Sequence, residues 1–159
     1  MEKEDMKMEH EHIGVLIKMA SLEFDRQSNN LLISENLTAS QFKILKYLTL
    51  HPQASVRQID LELFFGMTNP TVTGIIQNLE KKELITRQNH PVDRRSKVIL
   101  LTEKAMTMHD KILETSNLIE AGFTNKLNPE EIALLRPLLI KLLKTQHEKV
   151  NKGGLNASQ

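Results

Sequence analysis

Asn69-Pro70-Thr71-Val72-Thr73-Gly74-Ile75-Ile76-Gln77-Asn78-Leu79-Glu80-Lys81-Lys82, entered through Gly66, is the stretch on which the fold turns. Asn69 can cap a helix with Pro70 at its first position, where the missing N–H costs nothing. Val72, Ile75, Ile76 and Leu79 then recur at helical spacing and form one apolar stripe. Removing that stripe leaves Asn69, Thr71, Thr73, Gly74, Gln77, Asn78 and Lys81 facing outward, a polar face able to donate to phosphates or read base edges. Gly66, just upstream, can take the positive backbone dihedral of a tight turn.

The segments before this helix are helical too. Ser55-Val56-Arg57-Gln58 has the spacing of a capping box, and Ile59, Leu63 and Phe64 give an apolar stripe, so a short third helix is expected to run up to Gly66. Thr38-Ala39-Ser40-Gln41 repeats the capping pattern ahead of Phe42, Leu45 and Leu48, a second helix that stops near His51-Pro52. Upstream, Ile13, Leu16, Ile17, Ala20 and Phe24 mark a first amphipathic helix that fades into residues 27–30.

Downstream, residues 84–87 and 97–101 are short β-prone runs separated by a polar stretch, as in a long hairpin. Val98, Ile99, Leu100 and Leu101 are all apolar, so alternation leaves open which face of the second strand is buried. Thr102 can cap a long fifth helix through Met106, Ile112, Leu113, Ile119 and Phe123. Asn128-Pro129-Glu130-Glu131 starts a sixth with cap and capping-box features. Leu134, Leu135, Leu138, Leu139, Leu142 and Leu143 give that helix a broad apolar face, and together with the amphipathic first helix they point to terminal helices of two chains packing together. Packing within one chain is the alternative.

This order defines the expected class: mainly α with a small β-hairpin wing, a winged helix-turn-helix domain carrying N- and C-terminal dimerisation helices. The expected boundaries are residues 1–37 for the N-terminal dimerisation helix and 38–102 for the winged domain. Residues 103–150 are assigned to the C-terminal dimerisation helices, and 151–159 to a tail without structure.

Composition narrows the function. The chain has 159 residues, with 40% hydrophobic and 26% charged, which fits one soluble domain with a helical arm and no disordered or membrane class. Cysteine is absent, which excludes disulfides, thiolate metal sites and a thiol redox switch. The polar, acidic start and the lack of a long apolar run predict no signal peptide or anchor, hence a cytoplasmic protein. The net charge of +1 is uninformative by itself; residues 1–12 hold five acids and two lysines, so the basic excess lies downstream.

The hairpin tip Asp93-Arg94-Arg95-Ser96-Lys97 places three cations on a loop that no core requires. Arginine suits a narrow, strongly negative minor groove, and a neighbouring Asp can hold a guanidinium in one pose. With the helix that follows the Gly66 turn placed to enter a major groove, the architecture points at duplex DNA. Candidate contacts are Ser55 and Arg57 at the start of the third helix, then Asn69, Pro70, Thr71, Thr73, Gly74, Gln77, Asn78 and Lys81. Asp93, Arg94, Arg95, Ser96 and Lys97 add those of the wing.

Thr71-Val72-Thr73, Leu79-Glu80-Lys81-Lys82, Leu84-Ile85-Thr86-Arg87 and, most specifically, Asp93-Arg94-Arg95-Ser96-Lys97-Val98 followed by Leu101-Thr102 resemble the MarR family of transcription regulators, over residues 13–150. The resemblance implies an obligate homodimer, terminal helices forming its interface, and two winged lobes on a palindromic operator. By position, Arg95 would be the arginine inserted in the minor groove and Asp93 the carboxylate that orients the wing, with Arg94 and Lys97 supporting phosphate binding. It also implies a small anionic or phenolic effector in a cleft between the dimerisation helices and the DNA-binding lobe, and repression as the usual outcome. Two departures stand out: Glu83 occupies a position where Gly is usual, as does Ala105.

Other classes fare worse. His10 and His12 near the first helix and His109 on the fifth lack the convergent spacing of a metal site, so no metal and no cofactor are expected. No phosphate-binding glycine loop, dinucleotide pattern or His-Glu metalloprotease motif is present, which argues against an enzyme. A dimer that kept the fold and lost DNA binding remains a rival, and the basic wing argues against it.

Overall fold

The computed structural model describes residues 8–153, with side chains as far as Leu143. The chain divides into two compact units, residues 1–39 and 40–159. In the first, helix α1 (Ile13–Leu32) runs into a 3-10 turn (Ile33–Glu35). That turn ends on Asn36 at φ 54°, a left-handed conformation that asparagine tolerates. Asn29 Oδ1 accepts the Ala39 N–H at 2.7 Å, so a side chain of α1 satisfies a free donor at the start of the next helix. Ser28, Leu32, Leu37 and Ala39 are buried, while Ile13, Val15 and Leu22 on α1 are exposed.

The second unit contains α2 (Ala39–Thr49) from its second residue onward, β1 (Val56–Arg57), α3 (Gln58–Phe65), α4 (Asn69–Lys81), β2 (Ile85–Asn89), β3 (Lys97–Leu101), α5 (Glu103–Thr107), α6 (His109–Thr124) and α7 (Pro129–Gly153). Its sheet has the order β1-β3-β2, antiparallel throughout, with Val56 opposite Ile99, and Ile85 opposite Leu101. Ile44, Leu45 and Leu48 of α2, Leu61 of α3, Val72, Ile76 and Leu79 of α4, and Ile85, Val98 and Ile99 of the sheet are all buried. The second wing strand is therefore covered at Val98 and Ile99, the point its uniformly apolar sequence left open.

Several expectations need correction. Ser55 does not cap α3: its Oγ donates to Pro52 O in a turn, and Val56 and Arg57 form a two-residue strand too short to show alternation. The cap is built two residues later, at Arg57, whose N–H the Asp60 carboxylate accepts at 2.8 Å. On α3 the stripe expected inward is largely outward. Ile59, Leu63 and Phe64 are exposed and Leu61 is fully buried, because an eight-residue helix with apolar side chains on every side does not reveal its inner face. Phe64 and Phe65 instead gather with Tyr47 of α2 in an aromatic cluster, with centroids 4.6 and 5.7 Å from the Tyr47 ring. The fourth helix is capped at Thr68 rather than Asn69, which puts Pro70 in the first turn. The single long fifth helix is two, α5 and α6, divided at Met108, whose N–H reaches back to Ala105 O and Met106 O. A one-residue interruption leaves the apolar spacing intact and so is silent in the sequence.

Other local expectations hold. Gly66 takes φ 62° and ends α3 with its N–H on Glu62 O. Thr102 Oγ1 accepts the Ala105 N–H, and Asn128 and Glu131 exchange reciprocal capping bonds of 2.9 Å at the start of α7. The tail expected to lack structure from residue 151 is corrected at its start, where α7 continues to Gly153; the remainder lies outside the described residues. The first departure is resolved by backbone geometry: Glu83 adopts φ 57°, so a glutamate occupies a left-handed position. Ala105 is buried in ordinary helix.

Candidate nucleic-acid interface

Helix α4 presents the polar face expected of it. Asn69, Pro70, Thr71, Gln77, Asn78 and Lys81 are exposed, and Thr73 and Gly74 are half-buried. A Cβ built on Gly74 would meet no protein atom within 4 Å, so the helix offers bare backbone toward the outside there. The wing leaves the C-terminal end of α4 through a corner held at three points. Leu84 N donates to Leu79 O at 3.0 Å, Thr102 Oγ1 to Glu83 O at 2.8 Å, and Lys104 Nζ to Lys82 O at 3.0 Å.

The wing tip is ordered from within. Asp93 Oδ1 accepts the Arg95 N–H at 3.0 Å, and Ser96 returns its N–H and hydroxyl to Asp93 O. Asp93 thus fixes the backbone of the tip, where a hold on a guanidinium was expected. His90 Nδ1 takes the N–H groups of Val92 and Asp93, both at 3.1 Å. Arg94, Arg95 and Lys97 remain exposed to solvent.

Between α3, the start of α4 and the wing lies a groove of about 370 Å³ lined by Arg57, Gln58, Ile59, Glu62, Asn69, Arg87, Ser96, Lys97 and Ile99. It brings together Arg57, Asn69, Ser96 and Lys97 from the candidate set; Ser55 lies in the preceding turn. Arg57 is already engaged, its guanidinium meeting Asp60 at 2.8 and 3.1 Å. That hydrogen bond, partly offset by desolvation and aided by the charges of Asp60 and Asp93, raises its pKa further above the ordinary arginine value. For Asp60 the largest influence, partial burial, works upward, but the hydrogen bonds and charge of Arg57 outweigh it and hold the carboxyl below its usual range.

Four groups went unrecognised in the sequence. Arg87 of β2 grips Glu80 of α4 through two bonds of 2.7 and 2.9 Å, tying the wing to the last turn of the helix. Glu62 accepts from Gln58 and from Asn69, and Gln58 reaches Thr73. Arg87, Glu80 and Glu62 read as ordinary surface charges and Gln58 as part of a helix cap, and only adjacency across the turn or between helix and strand distinguishes them. Among the described residues no group of three or more His, Asp or Glu converges as a metal site would require. No described helix is long and apolar enough to cross a membrane.

A helix-turn-helix followed by an antiparallel hairpin with a cationic tip is a winged helix. A family model described as the MarR family matches residues 37–97. The transcription regulator MarR from Oenococcus oeni PSU-1 is 30% identical, with 84% of this chain and 99% of that one covered and a TM-score of 0.68. MepR of S. aureus, solved as a DNA complex, is 28% identical over 86% of this chain and 99% of its own, with a TM-score of 0.74. The organic hydroperoxide resistance transcriptional regulator of Bacillus subtilis (strain 168) is 29% identical over 91% of this chain and 95% of its own. The chain belongs to the MarR family and is a transcription regulator with a winged-helix fold.

Proposed function

We propose that two copies of this chain bind a palindromic duplex operator, each α4 entering a major groove and each wing tip an adjacent minor groove. The observation that carries this is the groove that brings Arg57 before α3 and Asn69 at the start of the outward polar α4 together with Ser96 and Lys97 of the cationic wing. Asn69, Pro70, Thr71, Thr73, Gly74, Gln77, Asn78 and Lys81 form the base-reading face, with Ser55 and Arg57 beside it. Arg94, Arg95 and Lys97 serve phosphate and minor groove, while Asp93 and Ser96 shape the tip. MepR, a relative caught on DNA, supports the same use here.

Dimerisation is supported by uncovered apolar side chains. Leu134, Leu138 and Leu142 on α7 are 68%, 59% and 61% exposed in the single chain. An apolar face of that extent needs a cover, and the same chain repeated is the economical one. Residues 1–37 and 103–150 then act as dimerisation segments around the DNA-binding segment 38–102, in a cytoplasmic repressor that is a binding protein and not an enzyme. The likeness to a hydroperoxide regulator carries no thiol switch to a chain without cysteine. A small anionic or phenolic effector would act by binding one lobe spacing better than the other.

Fluorescence-anisotropy titration against duplex DNA from the gene's upstream region, at two salt concentrations, tests the reading. Wild type is expected to bind with a steep salt slope. Arg95→Ala should weaken binding to every duplex and lower the slope by about one per half-site, with the dimer intact by sedimentation. No binding to that DNA or to pooled genomic fragments at low salt, or a monomer in the centrifuge, refutes it.

A further inference from the structure

The groove between α3 and α4 contains a hydrogen-bond chain whose direction is fixed by chemistry. Glu62 Oε1 accepts from Asn69 Nδ2 at 2.7 Å and from Gln58 Nε2 at 3.0 Å. An ionised carboxylate has no proton to give, so both amides must turn their nitrogens toward it. Gln58 Nε2 also reaches Thr73 Oγ1 at 2.9 Å, which commits both of its N–H groups. Thr73 is therefore an acceptor within the protein, and its own O–H is left to donate elsewhere. Asn69 is left with one Nδ2 proton and its Oδ1. One donor and one acceptor side by side in a planar amide match the N7 acceptor and N6 donor of adenine in the major groove.

We propose that Glu62, which the candidate set did not contain, is the specificity-determining positioning residue of this interface: it presets the amide of Asn69 to read an adenine and, through Gln58, presets Thr73 as a donor. The proposal rests on α4 being the base-reading helix. Its physical content is preorganisation, since an exposed asparagine free to flip presents either polarity and loses rotamer freedom on binding, whereas one held on a carboxylate presents a single polarity already ordered. A carboxylate facing a polyanion is otherwise unfavourable at this position. Its removal should leave sequence-independent phosphate binding undiminished while it relaxes base choice.

The test starts from a randomised duplex pool selected on the wild-type dimer, followed by anisotropy measurements on the enriched site, on each single base-pair variant of it and on a shuffled duplex. Glu62→Ala is expected to lower discrimination about tenfold at one adenine position per half-site, to lower it less at the base pair that Thr73 reaches, and to leave the remaining positions and the shuffled duplex unchanged or slightly tighter. Glu62→Gln keeps an oxygen able to accept from both amides and should retain most of the discrimination. In a double-mutant cycle Asn69→Ala should abolish the effect of Glu62→Ala at that base pair. An enriched site read equally well by wild type and Glu62→Ala overturns the proposal alone, as does a parallel loss on every duplex, which marks a general folding defect. A pool from which wild type enriches nothing overturns the DNA-reading function and this inference with it.

Discussion

Replacing Glu83 by glycine should stabilise the protein. Glu83 sits just beyond α4 at φ 57°, where an L residue with a Cβ pays roughly 1–2 kcal/mol against the following carbonyl. Glycine avoids that cost and forfeits roughly 0.5–1 kcal/mol through the greater freedom of its unfolded chain. The net gain is about 0.5–1 kcal/mol. Both backbone groups keep their partners in the variant, because the N–H donates to Glu80 O at 2.9 Å and the carbonyl accepts from Thr102 Oγ1 at 2.8 Å. The side chain is exposed and makes no ion pair among the described residues, so little else is lost. For a chain of this size the gain corresponds to a rise in Tm of about 1–4 °C. Urea and thermal melts should be compared at equal protomer concentration, since the stability of a dimer depends on it. Glu83→Ala is the control: it deletes the same side chain, keeps the Cβ, and should show no comparable gain. If Glu83→Gly melts at or below the wild-type temperature, or if Glu83→Ala gains as much, strain at this corner is not what the φ value indicates.

Gly74→Ala should separate stability from binding. The added methyl meets nothing within 4 Å, and alanine in a helix interior is favoured by about 1 kcal/mol, so the fold should become more stable while operator affinity falls. Unchanged affinity would place bound DNA away from this face. Asp60 gives a pH dependence with a definite sign. Its carboxyl is held below the ordinary 3.8, so its contribution to stability is present above that value and is lost as pH falls through the lower folded pKa. The stability difference between wild type and Asp60→Asn should stay constant from pH 5 to pH 8 and shrink below about pH 4. A difference that instead grows on acidification contradicts the Arg57 bond as the cause.

What the sequence determined by itself are the features set by neighbours along the chain. Helical period placed Val72, Ile76 and Leu79 inward and left the polar face of α4 outward. Gly66 marked the turn because few other residues take its φ, and Asn128 and Glu131 announced their own capping box. The cations at 94, 95 and 97 were legible as a tip because nothing in a core needs them.

Tertiary structure decided whatever depends on residues brought together across the fold. β1 exists because β3 offers a free edge to two residues that have no pattern of their own. The inner side of α3 was settled by what lay beside Leu61, since its own sequence has apolar side chains on every side, interleaved with polar ones. Glu62 and Arg87 look like surface charges until the turn sets one against Asn69 and the hairpin sets the other against Glu80. A local period carries information only about the face a side chain takes. The partner it meets there is fixed by loop closure and packing, which no short window of sequence encodes.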